Sequence, residues 1–379
     1  MEKKKKLFIV VNSLDAFFSH RLPVALAAKK TGYDVKIIYG EMPSHNDSNL
    51  GDFGLKSLFL PIDRGGTNPF KDFVSIFLLW RLFTIEKPDL VHLVTIKPIL
   101  YGGICARLAG VPAIISAITG MGFLFTDRYT VKVKALRQIS QFLFKASFKH
   151  SNKIIVFQND DDHREISNIV GKKLGEAVFI RGSGVDLAEY DALPESGGNK
   201  TIVMASRLLV DKGVYEFVQA AKILKKKYPN LRFLLAGLPD YANPASVSKK
   251  EVDTWGREGI VECLGFCNDV ACLYRKSHIV VLPSYREGLP KSLLEAAACG
   301  RPIITTNVSG CRDAILPDIT GILVPPKDPI SLSNAIETLV LNRDLRKAMG
   351  EAGRSFAEKN FSINKVVEQH LKLYKKLLS

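Results

Sequence analysis

Short runs rich in Val, Ile, Leu and Phe alternate with longer stretches in which apolar residues return every three or four positions. The first kind predicts buried strands, the second amphipathic helices. In the first half the runs fall at 7–11, 34–39, 57–60, 90–94, 113–117, 153–157 and 177–180. Helical stretches near 20–31, 70–86, 98–109, 131–148 and 160–170 lie between them. The pattern lapses over "RGSGVDLAEYDALPESGGNK" (181–200), which gathers Gly, Pro, Ser and acids without a period and reads as a linker. It restarts with strands near 201–206, 231–236, 260–264, 278–282, 302–305 and 321–323, again separated by helices. The last segment, "FSINKVVEQHLKLYKKLLS", opens on Ser362 as an N-cap and continues as an amphipathic helix. Such alternation predicts an α/β chain of two doubly wound, Rossmann-like domains facing a cleft, with ligands beyond the carboxyl ends of the strands.

A length of 379 residues agrees with two domains. The formal charge of +15 favours an anionic partner. Its basic residues are dispersed and no aromatic platform interleaves them, so nucleic acid is not the expected partner. The N-terminal "LFIVV" stops at Asn12, too short for a signal peptide. "FVSIFLLW" stops at Arg81 and is too short to cross a bilayer, so the expected location is cytoplasmic. Cys263, Cys267 and Cys272 lack paired spacing and nearby histidines. They are expected, with Cys105, Cys299 and Cys311, to be reduced core cysteines rather than zinc ligands.

Three segments of the second half put polar groups where strands end and helices begin. "MASRLLVDKGV" offers Arg207, a rigid fork of donors, and Lys212, a compact charge, a pair suited to a diphosphate. A solvated basic turn accounts for the same residues. In "FLLAGLPD", Gly237 removes a side chain beside the expected ligand, although a glycine there is commonly only a turn. In "VVLPSYREGLPKSLLEAAACGRPIITT", Glu287 sits in a loop, Gly288 and Leu289 lead to Pro290, and Glu295 lies on the helix that follows. Backbone N–H groups at that helix start suit phosphate oxygens, and Gly288 permits close approach. A carboxylate at 295 suits a vicinal diol such as ribose. A dipole-matched Glu287 and a surface Glu295 would explain each acid alone, but not both together with this loop and the Arg/Lys pair.

The segment "EGLPKSLLE", preceded by "LPSYR" and followed by "AAACGRPIITTNVSG", resembles the E-x7-E region of family-four retaining glycosyltransferases with the GT-B fold. "SRLLVDKG" is similar to that family's donor motif, and "SLDAFFSHRLPVALAAKKTGYDV" with "ITGMGFLF" resembles its bacterial O-antigen, capsule and lipid-linked oligosaccharide branch. The resemblance implies an acceptor domain at 1–183, a nucleotide-sugar domain at 184–361, and a helix 362–379 returning to the first. It implies that Arg207 and Lys212 hold the donor diphosphate, that Gly288 and Leu289 add backbone contacts, and that Glu295 binds the ribose. Glu287 would contact the transferred sugar and stabilise charge at its anomeric carbon. The donor it implies is a UDP-sugar and the acceptor a sugar on polyprenyl diphosphate. Two departures leave the first domain's contacts open: "NSLDAFFSHR" lacks the family's glycine pair, and "AIISAITGMG" lacks its histidine. His20, read at the start of the first helix, is a catalytic candidate beside the plain reading of a helix histidine.

No cofactor or metal is demanded, because charge on the departing diphosphate can be met by Arg207, Lys212 and a helix end. "NDDDHRE" (159–165) reads as a helix cap matched to the dipole. In 124–153 every charge after Asp127 is positive, namely Arg128, Lys132, Lys134, Arg137, Lys145, Lys149 and Lys153, with Phe142, Phe144 and Phe148 among the residues between. A basic, aromatic-rich helix of this kind is expected to rest on an anionic membrane face, making the protein peripheral on the inner side of a bacterial cell membrane. The alternative enzyme class is a two-domain nucleotide-sugar epimerase. A nicotinamide-dependent dehydrogenase would need a GxGxxG after the first strand, which is missing.

Overall fold

The computed structural model describes residues 4–42, 49–63, 68–121, 131–171, 174–241 and 243–379, with the side chains of 131–133 and 135 outside the description. Two compact units emerge, Met1–Ser183 with Asn364–Ser379, and Gly184–Ile363.

The strands of the first unit are β1 (Lys6–Val11), β2 (Asp34–Tyr39), β3 (Lys56–Phe59), β4 (Leu90–Val94), β5 (Ala113–Ala117), β6 (Lys153–Phe157) and β7 (Glu176–Phe179). They form one sheet in the order β3-β2-β1-β4-β5-β6-β7, every pair parallel. Its helices are α1 (Leu14–His20), α2 (Leu22–Lys30), α3 (Pro69–Glu86), α4 (Ile96–Leu108), α5 (Val131–Ser147) and α6 (Asp160–Val170). The two-residue period of β1 splits its side chains between two cores. Phe8 and Val10 join Leu79, Phe83, Ile99, Phe144 and Phe148 on the side of α3, α4 and α5. Leu7, Ile9 and Val11 join Val24, Ala25, Val366 and Tyr374 on the other. Both faces are covered, which is why these strands read as unbroken apolar runs.

The helix expected near 20–31 is α2, and a separate helix that the sequence did not lead one to expect, α1, precedes it. Pro23 sits in the first turn of α2, where its missing N–H costs nothing, but one turn later in a continuous helix it would leave a carbonyl unpaired. The chain therefore breaks at Arg21 (φ −128°, ψ −13°), and His20 closes α1 instead of opening a helix. At α6 the Asn159 side chain accepts from the Asp162 N–H at 2.8 Å, so this acidic run carries a helix cap.

In the second unit β8 (Thr201–Ala205), β9 (Arg232–Ala236), β10 (Glu262–Gly265), β11 (Ile279–Leu282), β12 (Ile303–Thr306) and β13 (Gly321–Val324) form a parallel sheet ordered β10-β9-β8-β11-β12-β13. Around it lie α7 (Val214–Lys227), α8 (Lys249–Arg257), α9 (Val270–Arg275), α10 (Lys291–Ala298), α11 (Pro329–Leu341) and α12 (Arg343–Asn360). After Ile363 the chain returns to the first unit, where α13 (Ile363–Leu378) lays Val366, Leu373, Tyr374 and Leu377 against the sheet. The Tyr374 hydroxyl lies 2.7 Å from His92 Nδ1, and His92 stacks on His370. Burial pushes both imidazoles below the usual range, His370 to about 3, so this joint is held by neutral rings.

The cysteines correct one expectation. Cys105, Cys299 and Cys311 are buried, but Cys263 is exposed and Cys267 and Cys272 are half-buried. Cys263 lies on β10, an edge strand whose Leu264 is also exposed, while Cys267 lies in the loop after it beside exposed Phe266 and Cys272 lies on α9.

Candidate active site

Strand order locates the site of the second unit. From β8 the chain winds outward through β9 to β10, then returns to β11 on the other side of β8. The crevice at the carboxyl ends of β8 and β11 is the topological switch point, where a doubly wound sheet leaves room for a ligand.

After β8 the chain makes a tight turn, Val210–Lys212, that ends on Gly213 at φ 77°. A Cβ at 213 would stand 2.1 Å from the Pro283 carbonyl oxygen, so only glycine lets this turn lie against the loop leaving β11. The Tyr285 N–H donates to the Asp211 carbonyl at 2.9 Å, and its hydroxyl donates to Glu216 at 2.7 Å. The two loops are thus stitched together, and Lys212 Nζ pairs directly with Glu287 Oε1. Ser284 Oγ donates to the same carboxylate at 2.8 Å.

The third wall is the loop after β12. Glu287 N–H donates to the Ser309 carbonyl at 3.1 Å. Gly310, at φ 76°, backs onto the same loop: a Cβ there would stand 2.4 Å from the Gly288 carbonyl and 2.5 Å from that of Glu287. Leu289 anchors the far side by burying its side chain in the core. Pro290 then caps α10, whose first N–H groups have no intrahelical acceptor. Gly310→Ala is expected to combine backbone strain of about 1–3 kcal/mol with displacement of Glu287. A melting curve and initial rates check this: the rate should fall at least about tenfold while the fold survives.

The remaining residues sit differently. Arg207 turns to Asp240, from the loop after β9, at 2.7 Å. Gly237 (φ 141°) is required by a close approach, since a Cβ would meet the Ser206 carbonyl oxygen at 1.8 Å. Glu295 is 7% exposed, held by Lys291 Nζ at 3.2 Å and by the side chain of Tyr190. Burial is the first cause that raises its pKa above an ordinary glutamate's, with Lys291 and Tyr190 opposing. In the first unit His20 Nδ1 lies 2.8 Å from Ser183 Oγ.

The structure therefore brings Lys212, Glu287, Gly288 and Leu289 together, and places Arg207 and Glu295 on separate partners. Sequence reasoning missed Tyr190, Ser284, Lys291, Asp240 and Gly310, the last of which stands in the quoted "TTNVSG". It also missed Thr95 at the carboxyl end of β4, beside the first sheet's own switch point between β1 and β4. Thr95 adopts φ 73°, which a β-branched residue rarely does, and its buried Oγ1 has no hydrogen-bond partner among the described residues. Among the described residues no group of three or more His, Cys, Asp or Glu side chains is placed to hold a metal.

Two parallel α/β units, with a cation and a carboxylate joined at one switch point, define the GT-B class of fold. Solved structures agree: a sucrose-phosphate synthase from Thermosynechococcus elongatus superposes with a TM-score of 0.79 at 18% identity, covering 99% of each chain. Anabaena HepE, solved in complex with UDP, gives a TM-score of 0.78 at 15% identity, covering 98% of this chain and 100% of that one. The chain belongs to the glycosyltransferases: residues 9–159 match the family model described as glycosyl transferase 4-like, and residues 188–356 that of glycosyl transferases group 1. It is 27% identical to a Campylobacter jejuni N,N'-diacetylbacillosaminyl-diphospho-undecaprenol alpha-1,3-N-acetylgalactosaminyltransferase, over 96% of both chains. It is 26% identical to an Escherichia coli UDP-Gal:alpha-D-GlcNAc-diphosphoundecaprenol alpha-1,3-galactosyltransferase, over 90% of this chain and 89% of that one. The epimerase alternative finds no support in these matches.

Proposed function

We propose that this glycosyltransferase moves a sugar from a UDP-sugar to a sugar carried on polyprenyl diphosphate, in the assembly of a bacterial surface polysaccharide or glycan. The observation that carries the reading is the Lys212–Glu287 contact at the switch point of the second sheet. A cation and a carboxylate held together there suit a ligand whose diphosphate gains negative charge while the adjoining sugar gains positive charge. The relatives whose names specify diphospho-undecaprenol acceptors, and the UDP seen in a structure of the same fold, support the choice of substrates.

In the proposed reaction the bond between the anomeric carbon and the diphosphate breaks. The acceptor oxygen attaches on the same face, and its proton passes to the departing phosphate oxygen, so configuration is retained without a protein base. Lys212 and the N–H groups of Gly288 and Leu289 neutralise the leaving group, with Arg207 released from Asp240 to join them. Glu287 faces the sugar, and Glu295 exchanges Lys291 and Tyr190 for ribose hydroxyls. The first unit takes the acceptor, with His20, oriented by Ser183, as its candidate contact. No resident metal or cofactor enters this scheme.

The acceptor's lipid puts the enzyme on the inner face of the cell membrane as a peripheral protein. No described helix is long and apolar enough to cross a bilayer. The basic stretch 124–153 supports this only in part. Residues 124–130, including Arg128, and the Lys132 side chain lie outside the described residues, Arg137 pairs with Glu165, and Phe144 and Phe148 are core. What α5 and the turn after it present outward is Ile139 and Phe142 with Lys134, Lys145 and, in the turn, Lys149.

A thermal-shift panel of UDP-, GDP- and ADP-sugars tests the donor, and NMR of the product formed on a polyprenyl-diphosphate-linked sugar tests the transfer. The expected results are stabilisation by a UDP-sugar alone and an axial linkage from an axial donor. An inverted linkage would remove the retaining mechanism, and indifference to every nucleotide sugar would remove the donor site.

A further inference from the structure

Helix α3 has an outward face that its position does not explain. Ser75, Leu79 and Phe83 are buried on the sheet. The opposite side, where a covering helix is normally polar, carries Phe70, Phe73, Phe77 and Trp80 at spacings of three, four and three. All four are exposed, Phe70 to 76% and Phe73 to 67%. A helix apolar all round is ordinarily enclosed by protein or in contact with lipid.

The charges around this face are mainly positive, although Asp63 lies 3.9 Å from Lys71 and Asp89 lies 3.7 Å from Lys5. The two acids of α3 are turned away, Asp72 to Lys97 at 2.8 Å and Glu86 to Lys36 at 2.5 Å. Lys71, Arg81 and Lys87 are exposed along the helix. At its carboxyl end, exposed Ile85 shares a groove with four lysines, Lys4, Lys5, Lys6 and Lys87, and two acids, Glu86 and Asp89. Aromatic side chains ringed mainly by cations match the boundary of an anionic bilayer, where rings enter the acyl edge and ammonium groups meet phosphates. The neighbouring helix α4 is almost wholly buried, because Gly103 lets α5 close over it. On this side of the sheet α3 and α5 thus stand on either flank of α4, each with apolar side chains outward.

We propose that the Phe70–Phe73–Phe77–Trp80 face of α3 is the element that inserts into the anionic phospholipid surface, α5 adding mainly charge. This rests on the reading of a lipid-linked acceptor, and it fixes which face of the first unit meets the membrane.

The chain holds its own probe. Of its two tryptophans Trp255 is buried in the second unit, so a Trp255→Phe variant isolates Trp80. With vesicles of phosphatidylcholine and about 30 mol % phosphatidylglycerol, Trp80 emission should shift to the blue and be quenched by brominated acyl chains. Phe73→Ser with Phe77→Ser should weaken partition at least about tenfold, leave the melting temperature and the UDP-sugar shift unchanged, and spare transfer to a short-chain, water-soluble acceptor. Unshifted, unquenched emission, or wild-type partition by the double variant, would overturn the proposal while leaving the transferase reading intact. So would a wild-type dimer that the double variant converts to monomer with partition unchanged, for then the face covers a second copy. Failure of the wild type to transfer to any lipid-linked sugar would strike the functional reading and leave the vesicle result standing.

Discussion

Glu287→Gln is expected to lower kcat by about 10²–10³-fold while changing donor affinity far less, because the charge it removes is needed most when the anomeric carbon is electron-poor. Glutamine keeps the shape and the bond from Ser284 but leaves Lys212 without its counter-charge. Lys212→Ala removes the cation and strands a largely buried carboxylate, with a loss in kcat/KM of similar size. Because the two side chains touch, their losses should not add: a double-mutant cycle should return a coupling of about 0.5–3 kcal/mol. Steady-state kinetics on the four proteins decides the matter. Strictly additive losses would mean that the two residues act on different parts of the reaction.

For Glu295, function and stability should move in opposite directions. Glu295→Ala and Glu295→Gln are each expected to weaken donor binding by about 10–100-fold, the value of charge-assisted hydrogen bonds to a diol. In the free protein, however, burial raises the pKa of this carboxyl, so the folded state holds its proton more tightly than the unfolded chain does. The sign follows: ionised Glu295 costs stability above its folded pKa, and the cost fades as pH falls through that value. Glu295→Gln should therefore melt at the same temperature as wild type or higher at neutral pH. Donor affinity should run the other way, declining with acid from a pH above that of an ordinary glutamate. Titration calorimetry across about pH 8 to 5 tests it. A Gln variant that binds donor with wild-type affinity, or that unfolds well below wild type, would contradict the assignment.

Much of this molecule could be read before its structure. Each apolar run named in the sequence is a strand within one or two residues; the inner strands are buried on both faces and have no polar side to interrupt them, while the edge strands β3, β7 and β10 are short and more exposed. The loops that meet at the second sheet's switch point were legible for a similar reason: glycines, a proline and unlike charges crowd the short loops between strand and helix, where little else explains them. The helix break at Arg21 was not legible, since Pro23 is as acceptable inside a first turn as after a helix end. Nor was the outward face of α3. "FVSIFLLW" has no period that separates a helix clad in protein from one facing lipid, and only the sheet beneath shows which side is left over.

Composition and periodicity alone determined the parallel α/β class and the identity of the loops that carry charge. They could do so because burial and turn chemistry are local constraints, written within a few residues of where they act. The stretch 181–200, which reads as a linker, belongs from Gly184 on to the second unit and buries Val185 and Tyr190 in its core. Tertiary structure alone decided that Lys212 meets Glu287 while Arg207 goes to Asp240, and that Glu295 lies against Tyr190 and Lys291. These pairings join residues up to 105 positions apart, since 190 and 295 lie on different elements of one unit. Side chains that distant are brought together by strand order and by glycines that admit close backbone contact, neither of which leaves a periodic trace in the chain.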